Sequence, residues 1–337
     1  MSPGAATVLL ALRRAAPSAC SGEELSVTLG VSRAQVWKHV ETLRGLGYAI
    51  EGEPGGGYRL TGAPDRLYPA EVHASLETAW LARELRHFDT TDSTNRVALE
   101  WAREGAPHGA TVVAEGQTAG RGRLGRAFFS PPYLNLYSST VLRPSLALAE
   151  APTVILAAAI AVAEAVADTT GPALEVEIKW PNDVLVDGRK TSGILMELAA
   201  EGSRVAFLVL GIGVNLNVDR ALFPDEFRAL ATSLRSATGR LVDRVAFTRR
   251  LYHGLEGTLD AFAKGGFEAL RPRFEARFRM PGRRVRVRDA TGAGATGAET
   301  SGVCRGIDGD GALLVERADG TITRVLAGDV TVVKDPE

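Results

Sequence analysis

Cysteine and histidine are scarce in this sequence of 337 residues. It contains two cysteines, Cys20 and Cys304, and five histidines. The cysteines lie far apart and form no Cys-x-x-Cys pair, which argues against a disulfide framework and against a zinc site. A reducing, cytoplasmic compartment is the natural expectation for such a chain.

An excess of charge of either sign is also missing. The chain has 39 basic and 40 acidic residues and a net charge of −1. This balance rules out a polybasic body that coats nucleic acid by charge alone. With 45% hydrophobic and 23% charged residues, the composition is that of a globular protein, and the length predicts two or three domains.

Uninterrupted hydrophobic runs as long as a membrane span are absent. The longest, from Val154 to Val166, carries Glu164 and is shorter than the ~20 residues of a membrane span, so it predicts a core helix. Near the N-terminus, Ala5 to Leu12 is apolar, but no positive charge precedes it as a secretion signal requires. We expect a first amphipathic helix there and no membrane association.

Residues 1–62 have the pattern of a winged helix. Ser21 to Glu24 and Ser32 to Gln35 fit two helix capping boxes, and Gly30 lies between them as a helix end. The second helix carries Val36, Val40 and Leu43 on one stripe. Two capped helices joined by a tight turn predict a helix-turn-helix, and Tyr48–Glu53 with Gly57–Leu60 predicts a hairpin around Pro54-Gly55-Gly56.

The second of these helices is the candidate DNA-binding element. Its surface residues include Arg33, Gln35, Trp37, Lys38 and His39, and we predict DNA contacts from Ser32, Arg33, Gln35 and Lys38. The alternative is a winged helix used for protein contacts or dimerisation. This unit has six basic and five acidic residues and is nearly neutral, which weakens the positive surface charge expected of a DNA-binding domain.

The rest of the chain predicts two further domains. Residues 65–278 alternate helical and β-rich stretches, which is typical of a mixed α/β domain. Residues 280–335 contain short, closely spaced strands and predict a small SH3-like β-barrel. Between the first two of those strands, residues 289–300 have the composition of a flexible loop.

A loop with three glycines and three arginines, Gly120 to Arg126, is the most informative segment. Its glycines disfavour helix and strand, and its arginines offer planar charged groups suited to phosphate and carboxylate. The pattern predicts a mobile loop that folds over an anionic ligand. A solvated basic loop is the alternative, and no Walker A sequence follows.

Three other polar segments complete the candidate site. Asn182 and Asp183 follow Trp180-Pro181 at a strand start, where they could meet a nucleotide or a metal ion, or simply form a turn. Lys190 precedes an apolar strand and could point one charge into a pocket, or be a solvated turn lysine. Gly211 and Gly213 lie inside a strand before Asn215 and Asn217, which indicates close approach to the backbone.

Small polar residues at the start of a predicted helix suit an uncharged ligand. Ser93, Thr94 and Asn95 follow Asp92, and Gln117 lies three residues before the Gly/Arg loop. Such donors and acceptors fit a ligand rich in N–H and C=O groups, for example a urea ring. Simple helix capping is the alternative for Asp92-Ser93.

In this order and spacing the segments resemble biotin protein ligase, in the two-function form that is also the biotin operon repressor. The resemblance covers nearly the whole chain, from the winged helix to the C-terminal barrel. Two positions depart from it. Leu124 stands where other members often have a polar or basic residue, and Ala127-Phe128 replaces a more usual pair that contains tryptophan.

The resemblance implies a reaction in two steps. Biotin and ATP form biotinyl-5′-AMP and pyrophosphate, with Mg²⁺ bridging phosphate oxygens, and a lysine of the biotin carboxyl carrier domain of acetyl-CoA carboxylase then takes the biotinyl group. Lys190, Arg121 and Arg123 are the implied catalytic residues. The implied biotin contacts are Ser93, Thr94, Asn95, Gln117, Arg121, Gly122, Arg123, Lys190, Gly193, Gly211 and Gly213. Asn182, Asp183 and Asn215 are implied for ATP or the adenylate, with Asp183 as the metal ligand.

The repressor resemblance further implies a homodimer that forms when the adenylate is bound and then binds a two-fold operator. Two other functions stay open at this point. One is a ligand-sensing regulator without ligase activity, and the other is a ligase for a different cofactor acid such as lipoate. The presence of Arg121, Arg123 and Lys190 favours a working ligase.

Overall fold

The computed structural model describes residues 1–53, 56–289 and 299–333. The chain divides into two compact units, Met1–Arg66 and Leu67–Glu337. The first corresponds to the predicted winged helix and its linker. The second contains both regions that the sequence predicts as separate domains.

The first unit has three helices and a hairpin. They are α1 (Pro3–Ala15), α2 (Gly22–Leu29), α3 (Arg33–Gly45), β1 (Ala49–Glu53) and β2 (Gly57–Gly62). The capping box at α2 is confirmed, because Ser21 Oγ accepts a bond from the Glu24 amide at 3.0 Å and Glu24 Oε2 accepts one from the Ser21 amide at 2.9 Å. Gly30, with a φ of 64°, ends α2 in the left-handed conformation that favours glycine.

The second capping box is only half present. Ser32 Oγ accepts a bond from the Gln35 amide at 3.2 Å, but the Gln35 side chain lies against His39 at 3.4 Å and does not return to Ser32. The buried stripe of α3 is confirmed, since its three predicted members are fully buried. β1 and β2 pair antiparallel from Ala49↔Gly62 to Glu53↔Gly57, and positions 54 and 55 of the predicted turn lie outside the described residues.

The second unit is built on a sheet of seven strands in the order β3-β4-β5-β9-β8-β7-β6. The strands are β3 (Leu85–Phe88), β4 (Thr111–Ala114), β5 (Leu136–Leu142), β6 (Val176–Lys179), β7 (Asp183–Val186), β8 (Arg189–Glu201) and β9 (Arg204–Val214). β3 runs parallel to β4 and the other neighbours are antiparallel. β3 was not predicted from the sequence, and β8 begins earlier than predicted, so Lys190 lies inside a strand.

Helices cover this sheet. They are α4 (Pro69–His73), α5 (Thr94–Arg103), α6 (Ala151–Thr170), α7 (Asp225–Arg228), α8 (Leu234–Thr238), α9 (Arg244–Gly265) and α10 (Arg271–Glu275). The predicted core helix is confirmed, because α6 is buried along most of its length and packs on α9. The stretch Leu148–Thr170 has the length and hydropathy of a membrane span, but 72% of the tested window is buried inside the protein, as in a core helix.

A second sheet of five antiparallel strands lies at the C-terminal end of the unit. Its strands are β10 (Arg284–Asp289), β11 (Glu299–Ile307), β12 (Leu313–Glu316), β13 (Ile322–Val325) and β14 (Gly328–Val332), in the order β13-β12-β11-β10-β14. Thr300 already belongs to β11, so the predicted loop 289–300 ends earlier than expected, and positions 290–298 lie outside the described residues.

The two sheets share one hydrophobic core. Val285 and Leu313 of the smaller sheet belong to the same buried cluster as Ile178 and Val184 of the larger one. In addition, the indole N–H of the buried Trp180 donates to the Gly311 carbonyl at 2.9 Å. The C-terminal region is therefore packed against the segment that carries Asn182 and Asp183.

Candidate ligand-binding site

A cavity opens on the larger sheet where the start of α5, the loop after β4 and the strands β5, β8 and β9 meet. It is lined by Ser93, Thr94, Asn95, Gln117, Arg121, Phe128, Tyr137, Gly193, Leu195, Gly211, Ile212 and Gly213. Eight of the eleven residues predicted to contact biotin are in this lining. The three predicted residues outside it are Gly122, Arg123 and Lys190.

Hydrogen bonds fix the polar wall of the cavity. The Thr94 amide donates to Gln117 Oε1 at 2.8 Å, and the Gln117 side-chain amide donates to Ser130 Oγ at 3.1 Å. Ser139 donates to Asn95 Oδ1 at 2.6 Å, and Asn95 in turn donates to Glu197 at 2.9 Å. The wall is thus held in one arrangement before any ligand enters.

Ser93 is the free hydroxyl in this wall. It is the N-cap residue of α5 by backbone conformation, but its side chain caps nothing. The residue is only 2% exposed, and no hydrogen bond from its hydroxyl is found among the described residues. A nearly buried hydroxyl that faces a cavity and lacks a protein partner is suited to bind a polar ligand.

The strand glycines make room for protein side chains that shape the cavity. A Cβ on Gly211 would lie 2.0 Å from Asn95 Oδ1, and a Cβ on Gly213 would lie 2.7 Å from the Phe128 ring. Phe128 also approaches Tyr137, with ring centroids 6.4 Å apart in an edge-to-face arrangement. Phe128 and Tyr137 were not predicted as lining residues, and β5, which is buried at every position, offers no alternation that would have indicated Tyr137.

The Gly/Arg loop is folded like a short hairpin. The Gly122 amide donates to the Arg126 carbonyl at 2.7 Å, and the Phe128 amide donates to the Gly120 carbonyl at 2.9 Å. At its tip, Leu124 has a φ of 57° and a side chain that is 55% exposed. Leucine in the left-handed region costs about 1 kcal/mol relative to glycine, so this tip is strained.

Three cations surround the cavity mouth. Arg121 is in the lining and forms no ion pair with any residue that the structure describes. Arg123 donates to Asn182 Oδ1 at 3.1 Å, and burial lowers the pKa of its guanidinium, although nearby carboxylates oppose that shift and the group stays charged. Lys190 Nζ lies 2.6 Å from Asp183 Oδ1.

The Lys190 side chain lies against Gly193, which has no side chain to keep the ammonium group away from the cavity. A Cβ on Gly193, which lines the cavity, would lie 3.1 Å from Lys190 Nζ. Asp183, which pairs with this lysine, is the one carboxylate of the predicted metal site. No cluster of three or more metal-ligating side chains occurs within residues 1–53, 56–289 and 299–333. A single carboxylate fits a Mg²⁺ ion that arrives on nucleotide phosphates, because this ion commonly uses one or two carboxylates and keeps several waters.

The asparagines after β9 point elsewhere. Asn215 donates to the Thr232 carbonyl at 3.2 Å and accepts from Asn135, and Asn217 exchanges two bonds with the backbone of Val242. Both residues are 5% exposed. They are not in the cavity lining, and the hydrogen bonds of Asn215 hold its side chain away from the cavity.

The loop is tied to the C-terminal sheet. Arg126 forms an ion pair with Asp329 of β14. Burial alone would raise the pKa of the Asp329 carboxyl, but the Arg126 guanidinium outweighs it and the pKa lies below its usual range. The smaller sheet therefore contributes directly to the position of the Gly/Arg loop.

The predicted DNA-binding residues lie at the start of α3 in the first unit. Arg33 pairs with Glu23 at 2.5 Å, and both side chains are largely exposed. Ser32 and Lys38 are exposed, whereas Gln35 is half-buried. The arrangement leaves the leading end of α3 open to solvent.

Sequence profiles of three families match the chain. The Biotin/lipoate A/B protein ligase family matches residues 87–215, an HTH domain matches residues 6–59, and the Biotin protein ligase C terminal domain matches residues 282–333. The Bifunctional ligase/repressor BirA of Bacillus subtilis is 37% identical over 92% of this chain and 93% of its own length. The chain belongs to the bifunctional biotin protein ligase/repressor family.

Further similar proteins support the same family assignment. The BirA protein of Escherichia coli is 34% identical over 93% of this chain and 92% of its own length. Among solved structures, the biotin protein ligase from Aquifex aeolicus in complex with biotin and ATP aligns with a TM-score of 0.63 at 28% identity, and covers 75% of this chain and 100% of that one. The fold class expected for the biotin protein ligase family is confirmed in all three regions.

Proposed function

We propose that this protein is an ATP-dependent biotin protein ligase that also represses transcription in response to biotin. It joins biotin to a lysine of a biotin carboxyl carrier domain through biotinyl-5′-AMP. One observation carries the proposal. The cavity combines an uncharged, hydrogen-bonding interior with an unpaired guanidinium, Arg121, at its mouth.

The interior suits the ureido ring of biotin. Ser93 offers a free hydroxyl, and Thr94 and Gln117 are already oriented by their mutual hydrogen bond. No Asp, Glu, Lys or Arg side chain other than Arg121 lines the cavity in the part of the chain that the structure describes. A neutral ring rich in N–H and C=O groups can therefore bind without the cost of burying a charge.

The first step joins two anions, which is its main electrostatic difficulty. A biotin carboxylate oxygen attacks the α-phosphorus of ATP, a C(O)–O–P linkage forms, and the bond to the β-phosphate breaks so that pyrophosphate leaves. Arg121 lines the cavity, Arg123 bonds to Asn182 and Lys190 lies beside Gly193. These three cations would neutralise the carboxylate and the α-phosphate. Charged groups preorganised in this way stabilise the transition state.

The nucleotide is assigned to the other side of the mouth. Asn182 and Asp183 lie beside Arg123 and Lys190, and Asp183 would be the carboxylate that holds Mg²⁺, which shields phosphate charge when bound. Asp183 would then exchange its contact with Lys190 and free the ammonium group for the phosphate. Asn215 lies outside the cavity lining and would contribute indirectly, because its hydrogen bonds support the backbone at the end of β9.

The second step transfers the biotinyl group. The carrier lysine, as the neutral amine, attacks the carbonyl carbon of the mixed anhydride, a C–N bond forms, AMP leaves and the amine gives up a proton. Water must be excluded until then, because an acyl-adenylate hydrolyses. The Gly/Arg loop over the cavity, held by Arg126 and Asp329, supports this protective role.

The winged helix supports the repressor role. Its open α3 can enter a major groove, as in other helix-turn-helix proteins. Adenylate binding would stabilise a homodimer, and the dimer would bind a two-fold operator. The two thiols, Cys20 and Cys304, are unpaired, which supports a cytoplasmic location.

A transfer assay tests the ligase. The protein is incubated with ATP, Mg²⁺, labelled biotin and a biotin carboxyl carrier domain, and label on the carrier is measured together with pyrophosphate release. Label on the carrier is expected. Pyrophosphate release without transfer, or neither product, would favour a sensor without ligase activity. Transfer of labelled lipoate in preference to biotin would favour the other cofactor acid.

A further inference from the structure

One tryptophan lies on the surface of the first unit. Trp37 of α3 is 53% exposed, whereas Trp101 and Trp180 are 8% and 2% exposed and Trp80 is half-buried. Within the described residues, Trp37 makes no ring contact, no cation–π contact and no hydrogen bond through its indole N–H. Single exposed apolar side chains are common on protein surfaces, so it is the position of Trp37 on α3 that points to a role in binding.

The position of Trp37 in α3 places it on an exposed face of the helix. Trp37 is the fifth residue of α3, one turn from the start at Arg33, and Ala34 and Lys38 are exposed on either side of it. The adjoining side of the helix is buried through Val36 and Val40. The leading turns of the second helix in a helix-turn-helix are the part that meets base edges.

The other polar side chains of α3 are less available. Gln35 and His39 are half-buried and lie 3.4 Å apart, and the His39 ring packs over Gly4 of α1, where a Cβ would lie 2.4 Å from His39 Nε2. Consequently Gln35, which the sequence suggested for base contacts, is engaged within the unit. Trp37 is the more accessible group on the leading turns.

We propose that Trp37 reads a thymine in the operator by packing its indole on the C5-methyl group. This inference rests on the proposed DNA-binding role and adds a specificity determinant to it. Thymine alone presents an apolar group in the major groove, and an indole offers a broad apolar surface to cover it. The unpaired indole N–H can at the same time donate to an acceptor on a base edge or a phosphate.

The charges around Trp37 are compatible with this contact. Lys38 and Arg33 flank it and can position α3 on phosphates. The acidic side chains nearby are Glu23, which pairs with Arg33, and Glu41, which pairs with Arg44. Both pairs are substantially exposed, so their exchange for phosphate contacts costs little.

Selection from a random DNA pool tests the proposal. The full-length protein, loaded with biotin and ATP, selects duplexes, and the bound sequences are compared for wild type and Trp37→Ala. Wild type is expected to select a thymine at one position of each half-site, and the variant is expected to lose that preference while keeping the rest of the site. Replacing that thymine by uracil, which removes only the methyl group, should weaken wild-type binding about 3- to 10-fold and leave Trp37→Ala unaffected.

Val27→Ala is the matched control, because Val27 of α2 is 77% exposed and lies outside this face of α3; it should select the wild-type site. Trp37→Phe should retain part of the thymine preference, and circular dichroism checks that each variant is folded. The same selected bases and the same uracil penalty in Trp37→Ala would overturn the proposal and leave the repressor role intact. If wild type selects no DNA, the DNA-binding role itself fails, and this inference fails with it.

Discussion

Lys190 and Asp183 form an ion pair, with Nζ 2.6 Å from Oδ1, beside the cavity on the larger sheet. Asp183 begins β7 and Lys190 is the second residue of β8, so the hairpin between these strands brings the two together. The lysine side chain also lies over Gly193. This pair keeps a cation beside the cavity, and in the proposed mechanism the lysine would turn toward phosphate when Asp183 holds Mg²⁺.

Lys190→Ala should keep the fold and lose most adenylate formation. Removal of one charged contact to the transition state costs about 3 kcal/mol, or ~10²-fold in rate. Pyrophosphate release in the presence of biotin and ATP measures the effect. Arg189→Ala, which removes a neighbouring cation with no ion pair among the described residues, should be close to wild type. A near-normal rate for Lys190→Ala would refute the assignment of this lysine.

The contact between Arg126 and Asp329 predicts a role for the C-terminal sheet in retaining the adenylate. The side chains are 60% and 31% exposed, so their coupling should be at most about 1 kcal/mol. Arg126→Ala and Asp329→Asn should each speed the loss of biotinyl-5′-AMP about 2- to 5-fold, and the double variant should be no worse than the poorer single one. Decay of the labelled adenylate without carrier measures this. Additive effects of the two changes would show that the residues act independently.

The tip of the Gly/Arg loop predicts a gain from glycine. Leu124 adopts a φ of 57°, which glycine reaches without the steric cost of a Cβ. The leucine side chain is exposed, so its removal should cost little packing. Leu124→Gly should relieve about 1 kcal/mol of backbone strain in the folded loop, and the greater conformational entropy of glycine in the unfolded loop offsets part of that gain. Slower adenylate loss is the expected result. Faster loss, with Leu124→Ala at the wild-type rate, would mean that loop flexibility outweighs the relief of strain.

Much of the fold, and part of the site, could be predicted because the patterns that indicate them are local. The α2 capping box, the α3 stripe and the glycines of β9 follow from short patterns, and the order of the motifs indicated the family. Phe128 and Tyr137 could not be placed in the cavity in the same way, because their position depends on how the loop folds over the sheet. The sequence indicates only that Asn215 is a polar residue that follows a strand with two glycines. Its orientation is decided by a tertiary contact, the hydrogen bond to the Thr232 carbonyl.

Ion pairs between residues far apart in the sequence could not be predicted either. The contact from Arg126 to Asp329 spans 203 positions of the chain, and nothing near either residue indicates the other. The pair of Glu115 and Arg244 spans 129 positions. Such contacts appear only after the sheets and helices have packed.

Gly211→Ala should disable the cavity and spare the rest of the fold. Its Cβ would lie 2.0 Å from Asn95 Oδ1, so Asn95 must move and lose its bonds to Ser139 and Glu197. We expect biotin binding, measured by calorimetry, to weaken at least about 10-fold, since loss of a few such bonds exceeds ~1.4 kcal/mol. Gly202→Ala, at the β8–β9 turn, is a control for strain alone because its φ is 60° and its Cβ meets nothing within 4 Å. Unchanged biotin affinity in Gly211→Ala would contradict the role assigned to Asn95.

The buried pair of Glu115 and Arg244 should make stability depend on acid pH. Both side chains are fully buried, with Arg244 Nη2 2.8 Å from Glu115 Oε2. Burial alone would raise the pKa of Glu115, but the hydrogen bond from His87 and the Arg244 guanidinium outweigh it, so the pKa lies below its ordinary value. The unfolded chain therefore binds the proton more tightly. The stabilisation is complete above about pH 4.5 and is lost as pH falls through the lower pKa of the folded state.

Glu115→Gln should reduce the free energy of unfolding at pH 7 by about 3–5 kcal/mol, because it removes the carboxylate that pairs with the buried Arg244 guanidinium. The difference from wild type should shrink as the pH falls below 4.5, where wild type also loses the charge. Denaturant unfolding at several pH values measures it, and comparison with wild type cancels the titration of other carboxylates. Glu115→Leu with Arg244→Met removes both charges and should cost much less than either single change. A constant difference between Glu115→Gln and wild type from pH 7 to pH 3 would show that the pair does not titrate with folding.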